Sequence, residues 1–256
     1  MEKNLQFERL VLIMLRKKTL ITGAGYGIGR EIAEKFAAKG HDLFLLTRKK
    51  NEAKSLKNLE KKYNIKTNIF IGDLRNPKFI NKLKKIKYVD NLINNAAMAN
   101  TKYFVNVSDK ELRDLIEVNL LATFRISQIF SKKMIKNKVK GVIISISSQL
   151  GHVGAYNRTL YCLSKFGLEG LNKSMALDLS KFGIRTVTVS PTKTLVRPNE
   201  HLKTPKRLNI IRKKIPLKKF STKSEIASIV YFLTTDAANS ITGTSIVSDG
   251  GWTAGK

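Results

Sequence analysis

The sequence predicts a doubly wound α/β fold, with a parallel seven-stranded sheet in a single domain. From residue 18 onward short apolar runs alternate with longer amphipathic ones, the order in which strand and helix follow each other around a parallel sheet. A glycine-rich segment, Thr22-Gly23-Ala24-Gly25-Tyr26-Gly27-Ile28-Gly29, separates the first apolar run from the first amphipathic one. The 256 residues are 42% hydrophobic and hold no repeat, low-complexity tract or linker, which excludes intrinsic disorder and leaves one packed core of enzyme size.

Strands are expected at Thr19 to Thr22, Asp42 to Thr47, Thr67 to Ile71, Asn91 to Ile93, Gly141 to Ile146, Arg185 to Val189 and Ser245 to Val247. Their Val, Ile, Leu and Phe content suits strands covered on both faces. Helical periodicity lies near residues 28–39, 51–63, 76–85, 109–136, 156–182 and 223–235. Residues 1–13 take no part in the alternation, and Met14 stands four residues before Lys18, so 1–13 are expected to form a peripheral extension and 14–256 the domain.

The net charge of +29 needs an explanation. A polyanion partner requires basic residues gathered on one face. The 36 Lys and 12 Arg instead run from Lys3 to Lys256 without a block of five like charges or interleaved aromatics, so a Lys-rich background on a solvated surface is expected, with no specific nucleic-acid partner. One cysteine, Cys162, excludes an internal disulfide and a cysteine-based zinc cage, and three dispersed histidines leave no metal-ligand pair. A reducing, cytoplasmic setting fits. The longest early apolar run, Leu10 to Leu15, is far shorter than a membrane span, and no membrane association is expected.

The glycine-rich segment follows a strand and opens a helix, where backbone N–H groups and the positive end of a helix dipole can hold a phosphate. Gly23, Tyr26, Gly27, Ile28 and Gly29 are therefore candidate cofactor-binding residues, although the spacing is Gly-x-x-x-Gly-x-Gly rather than Gly-x-Gly-x-x-Gly. At the end of the second strand, where an NAD site usually has an acid, the chain reads Leu45-Leu46-Thr47-Arg48. With no carboxylate there and with Arg48 able to pair a 2′-phosphate, the site suits NADP(H), NAD(H) being the alternative.

Tyr161 and Lys165 are four apart on one helical face; Ser148 lies just past the fifth strand, and Asn119 inside the preceding amphipathic segment. In this order, after Thr-Gly-x-x-x-Gly-Ile-Gly, the chain resembles the short-chain dehydrogenase/reductase family over residues 18–253. Further motifs carry the resemblance: Asp73-Leu74, Asn94-Asn95-Ala96-Ala97, Ser190-Pro191-Thr192, Ile241-Thr242-Gly243 and Asp249-Gly250-Gly251. Ala97 and Thr192 replace glycines common in that family. The resemblance implies a hydride transferred between nicotinamide and a carbonyl carbon, with Tyr161 as proton donor or acceptor. Lys165 would stabilise the phenolate and bind the nicotinamide ribose, Ser148 would bond the substrate oxygen, and Asn119 would support Lys165 through a water. It further implies cofactor contacts from Asp73, Leu74, Asn95, Ala96, Ala97 and Pro191. Thr194 is the candidate for the nicotinamide carboxamide, since Val196 stands where many members have a Thr. A homotetramer built on the two long helices is also implied, and the apolar Leu163, Phe166, Leu168, Leu171 and Met175 support it independently.

Substrate choice in such proteins rests on residues 149–158 and on the segment after Pro191. The first is rich in hydrogen-bonding groups, Gln149 and Arg158 among them, which suits a small-molecule substrate such as a sugar, polyol or sugar acid; the second, a substrate loop over 192–214, is basic. A 3-oxoacyl-(acyl-carrier-protein) ketone reductase is the alternative. A nucleotide-sensing regulator without catalysis is more remote, because a sensor needs no proton donor.

Overall fold

The computed structural model describes residues 16–196 and 205–255. The expected extension 1–13 and residues 197–204 of the substrate loop lie outside the described residues. The strands are β1 (Lys18–Ile21), β2 (Asp42–Thr47), β3 (Thr67–Ile71), β4 (Asn91–Asn94), β5 (Val142–Ile146), β6 (Arg185–Pro191) and β7 (Ser245–Ser248), each within a few residues of its expected position. They form one sheet in the order β3-β2-β1-β4-β5-β6-β7, and every neighbouring pair is parallel. The order reverses between β1 and β4, which opens a crevice at the C-terminal ends of those two strands.

Helices cover both faces because adjacent strand residues point opposite ways. Ile21, Ile93 and Ile144 pack beneath α1 (Gly27–Ala38), α2 (Lys50–Tyr63) and α8 (Lys223–Phe232), with Ile32, Phe36, Leu56, Leu59 and Val230 filling the layer. Leu20, Leu92 and Ile143 face the other way. They meet α3 (Pro77–Lys82), α5 (Ala122–Lys136) and α6 (Thr159–Ser180) through Phe79, Ile126, Phe130 and Leu179. Each layer is a continuous apolar core, in which truncating a fully buried ring such as Phe36 costs about 3–5 kcal/mol.

Local chemistry sets the helix ends. Ser108 and Glu111 form a capping box before α4 (Asp109–Ile116), and Thr222 and Glu225 form another before α8. The single helical pattern expected over 109–136 is divided by a π turn at Glu117–Leu121, where the Thr123 hydroxyl donates to the Asn119 carbonyl at 3.1 Å. The pattern expected from 156 begins as helix only at Thr159, because Asn157 is left-handed at φ +60°. Part of the basic loop expected over 192–214 is a helix, α7 (Pro205–Lys213). Its Leu208, and Ile215 just past its end, are both buried, an apolar pattern masked in the sequence by surrounding Lys and Arg.

Among the described residues no helix is long and apolar enough to cross a membrane, and no cluster of His, Cys, Asp or Glu could hold a metal ion.

Candidate active site

The turn between β1 and α1 is shaped by where a side chain would not fit. Gly23 is left-handed at φ +65°, and a Cβ on it would come within 2.9 Å of the Ala96 Cα. A Cβ on Gly29 would stand 2.2 Å from the Gly23 carbonyl oxygen. Gly29 thus provides the close helix–strand packing that the commoner fingerprint assigns to a differently spaced glycine. Tyr26, half exposed and extended, caps α1, Gly27 begins it, and Ile28 packs on the core. The helix N-terminus therefore faces the crevice with small residues in front of it, a cradle that fits the pyrophosphate of a dinucleotide.

The other side of the cradle is latched to this turn. The Thr22 hydroxyl oxygen accepts from the backbone N–H groups of Asn95 and Ala96, each at 3.0 Å. The Asn95 amide donates to the carbonyls of Thr22 at 3.0 Å and Gly23 at 3.1 Å. Asn95 and Ala96 shape the crevice through the backbone, and Ala97 lies exposed at its edge.

At the adenosine end Arg48 is exposed just past β2, and Leu74 is half-buried. Arg75, bonded to Asp73 at 2.8 Å, holds the Asp73 carboxyl below its usual range, with Arg48 adding a smaller contribution. The absence of an acid from the end of β2 is not an absence in space. Glu52, from the first turn of α2, accepts the Thr47 hydroxyl hydrogen, and its carboxylate reaches the position a Cβ on Gly25 would take. The sequence signal was available only as an acid five residues after Thr47.

Ser148, Tyr161 and Lys165 come together. Ser148 stands beside the Tyr161 phenol, whose ionised form it favours, and its oxygen accepts from the Leu150 N–H at 3.1 Å, so it caps a turn and faces the phenol at once. Burial pushes the Tyr161 phenol up from its ordinary value, while Ser148 and the nearby Arg158 charge act the other way. Lys165 is 2% exposed. Its Nζ donates to the Ile146 carbonyl at 2.8 Å and lies 5.6 Å from the centre of the Tyr161 ring. Burial pulls its ammonium down to about 8, against an opposing pull from Glu169.

Asn119 is buried and ties two segments of the site together. Its Oδ1 accepts from the Met98 N–H at 2.7 Å, and its Nδ2 donates to the Met98 carbonyl at 2.9 Å and to the Ser164 hydroxyl at 3.0 Å. Ser164 in turn donates to the Tyr161 carbonyl at 2.8 Å. Asn119 thus fastens the loop after β4, through Ser164, to the backbone of Tyr161.

Of the remaining candidates, Gln149 is buried with its Oε1 lacking a protein partner, and Arg158 donates to the Asn100 carbonyl. Pro191 ends β6. The Thr194 hydroxyl is buried and donates to the Thr192 carbonyl at 3.2 Å, whereas Val196 lies 3.4 Å from where a Cβ on Gly27 would be. Beside the turn into α6 opens a cavity of about 590 Å³, lined by Tyr103, Phe104, Tyr156, Asn157, Lys214 and Trp252 among others.

A family model described as enoyl-(acyl carrier protein) reductase matches residues 23–253. A 3-oxoacyl-(acyl-carrier-protein) reductase of Buchnera aphidicola is 35% identical over 246 residues, covering 92% of this chain and 97% of the relative. Human L-xylulose reductase is 30% identical over 245 residues, covering 95% and 99%. Among solved structures, a Beutenbergia cavernae protein assigned as an NAD(P)-dependent gluconate 5-dehydrogenase, with NADP bound at low occupancy, superposes with a TM-score of 0.86 at 27% identity, covering 94% and 98%. Salmonella typhimurium acetoin dehydrogenase gives a TM-score of 0.84 at 25% identity, covering 94% and 99%. With the glycine cradle at the switch point and serine, tyrosine and lysine at its rim, these matches establish that the chain belongs to the short-chain dehydrogenase/reductase family of NAD(P)-dependent oxidoreductases.

Proposed function

We propose that this oxidoreductase interconverts a carbonyl and an alcohol on a sugar, polyol or sugar acid, with NADP(H) preferred over NAD(H). The reaction rests on one observation, Ser148 beside the Tyr161 phenol with the buried Lys165 one helical turn away. When bound, the nicotinamide supplies or accepts the hydride. Ser148 orients the reacting oxygen, and Tyr161 gives it a proton during reduction or takes one during oxidation. Lys165, charged, lowers the cost of the phenolate and binds the nicotinamide ribose. Asn119 acts at one remove, by fixing the backbone that carries Tyr161.

The cavity beside the turn into α6 reaches Thr159, two residues before Tyr161, though Ser148, Tyr161 and Lys165 do not line it, and its chemistry favours the substrate class. It combines four aromatic rings with Asn157, Thr159 and Lys214, and among the described residues no aliphatic side chain larger than the Ala155 methyl lines it. Ring faces and hydrogen-bonding groups suit the C–H and O–H surface of a polyol, and Lys214 suits a carboxylate. Likeness to the 3-oxoacyl-(acyl-carrier-protein) reductases favours a second reading, a 3-oxoacyl thioester substrate. Arg48 supports NADP(H). Exposed Leu121, Phe124, Leu163 and Phe166 on the helical face around α5 and α6 support a homotetramer. The enzyme acts in the cytoplasm and needs no nucleic-acid partner.

A panel of aldonates, hexoses, polyols, acetoin and acetoacetyl thioester, each with both cofactors, tests the reading. Turnover confined to the thioester would replace the substrate class, and a monomeric mass by light scattering would remove the tetramer.

A further inference from the structure

Glu169 is a buried carboxylate that the proposed chemistry does not use. It lies one helical turn beyond Lys165 on α6, so both side chains leave the same face. A Cβ on Gly151 would stand 3.1 Å from the Lys165 carbonyl oxygen and 3.2 Å from the Glu169 Cγ, so both residues pack beneath the turn that carries Ser148. Glu169 is 8% exposed and Lys165 2%.

The groups around Glu169 are nearly all neutral. From β6, Thr188 donates to Oε2 at 2.7 Å and Ser190 to Oε1 at 3.0 Å. From β7, Ser245 donates to Oε1 at 3.5 Å. From the turn after β5, the His152 Nε2 lies 3.4 Å from Oε1, with the His152 side chain open to solvent on its outer side. Three hydroxyls solvate a carboxylate without neutralising it, and an ionised group removed from water requires a counter-charge. Lys165 shares the helix face and the burial of Glu169, one turn away, and acts on it through space, with no ion pair of 4.0 Å or less between the two among the described residues. The need is mutual, because Lys165 is buried against a carbonyl and a phenol, neither of which balances an ammonium.

We propose that Glu169 is a positioning residue for the reaction, an internal counter-ion that keeps Lys165 protonated and in place behind Tyr161. The proposal rests on the role given to Lys165 above. Burial pulls the Lys165 ammonium down to about 8, and Glu169 opposes that pull. The hydroxyls of Thr188, Ser190 and Ser245 aim three donors at the carboxylate where the sheet meets α6.

The test reads Lys165 directly. In protein carrying 13Cε-labelled lysine, the resonance lost in Lys165→Gln identifies Lys165, and its shift is followed from pH 6 to 11 without substrate. Glu169→Gln keeps the size and most hydrogen bonds but removes the charge. It should lower the Lys165 midpoint by about one pH unit or more, and Glu169→Asp should keep it near the parent's. The alkaline limb of turnover should move with it. An unchanged midpoint in Glu169→Gln overturns the proposal, and a purely structural role would lower thermal stability without moving the midpoint. If Glu169→Gln does not fold, Glu169→Asp against Glu169→Asn carries the same comparison. Tyr161→Phe, assayed beside them, separates the two readings. Full turnover in that variant overturns the role of the site and the proposal with it, whereas an inactive Tyr161→Phe beside an unchanged Lys165 midpoint overturns Glu169 alone.

Discussion

The Thr47 hydroxyl donates to the Glu52 carboxylate, and the pair closes over Gly25, so two residues five apart in sequence form the wall between β2 and the glycine turn. With a ribose bound where Arg48 is proposed to read it, a carboxylate there and the Arg48 guanidinium would act in opposite senses on a 2′-phosphate. Glu52→Gln should raise the NADPH-to-NADH affinity ratio, and Arg48→Ala should lower it. Cofactor titrations by calorimetry check this. Equal changes for both cofactors in both variants would show that neither side chain meets the 2′-phosphate.

Tyr161→Phe removes one hydroxyl from a buried ring. Turnover should fall at least about a hundredfold while cofactor affinity stays within a few-fold of the parent, as for a lost proton donor. Ser148→Ala should reduce turnover in the same direction, and it also removes the cap on the Leu150 N–H. Steady-state rates with the best panel substrate, beside cofactor binding, measure both.

Asn119→Ala should cost about 1–3 kcal/mol of stability, since it leaves the part-buried Met98 backbone groups without their Asn119 partners. Turnover should fall with it, because the tie from Asn119 through Ser164 to the Tyr161 backbone is cut. Denaturant unfolding and single-turnover rates separate the two effects, and an unaltered rate in a destabilised protein would limit Asn119 to folding.

His41 makes the fold acid-sensitive. It is buried edge-on against Phe36 and hydrogen-bonded to Thr19 at 2.9 Å, and burial lowers its imidazole from 6.5 to about 4. Between those values the unfolded chain takes up a proton that the folded chain refuses, so stability falls as pH drops through that window, by up to about 3 kcal/mol. Above pH 6.5 His41 is neutral in both states and contributes no pH dependence. His41→Asn should flatten the decline between pH 6.5 and 4 in urea melts, and an unchanged slope would assign it to the carboxylates.

The strands were legible because each is a compact apolar run covered on both faces, and Ser148, Tyr161 and Lys165 because strand end and helical spacing place them together. Three features were hidden. Glu52 reaches back from the first turn of the next helix, so searching only the strand end for an acid passes over it. The π turn at Glu117–Leu121 was hidden although Asn119 itself was singled out, because a pattern of 3.6-residue periodicity does not report a local break. The helix Pro205–Lys213 presents Leu208 inward amid basic neighbours, and composition there reads as loop.

The junction of β1 with β4 has a consequence for how the protein is made. Asn91 bonds Thr19 across 72 residues of chain, and no two neighbouring strands are joined by a hairpin. During synthesis β1, β2 and β3 can pair as soon as they leave the ribosome, but the open edge of β1 must wait for β4. Until then the nascent half-sheet presents unpaired backbone groups and Leu20 without its covering layer of α3, α5 and α6. Nascent-chain lengths between β3 and β4 are therefore where this chain should most need a holding chaperone, and where ribosome-bound fragments should be most readily cut by protease.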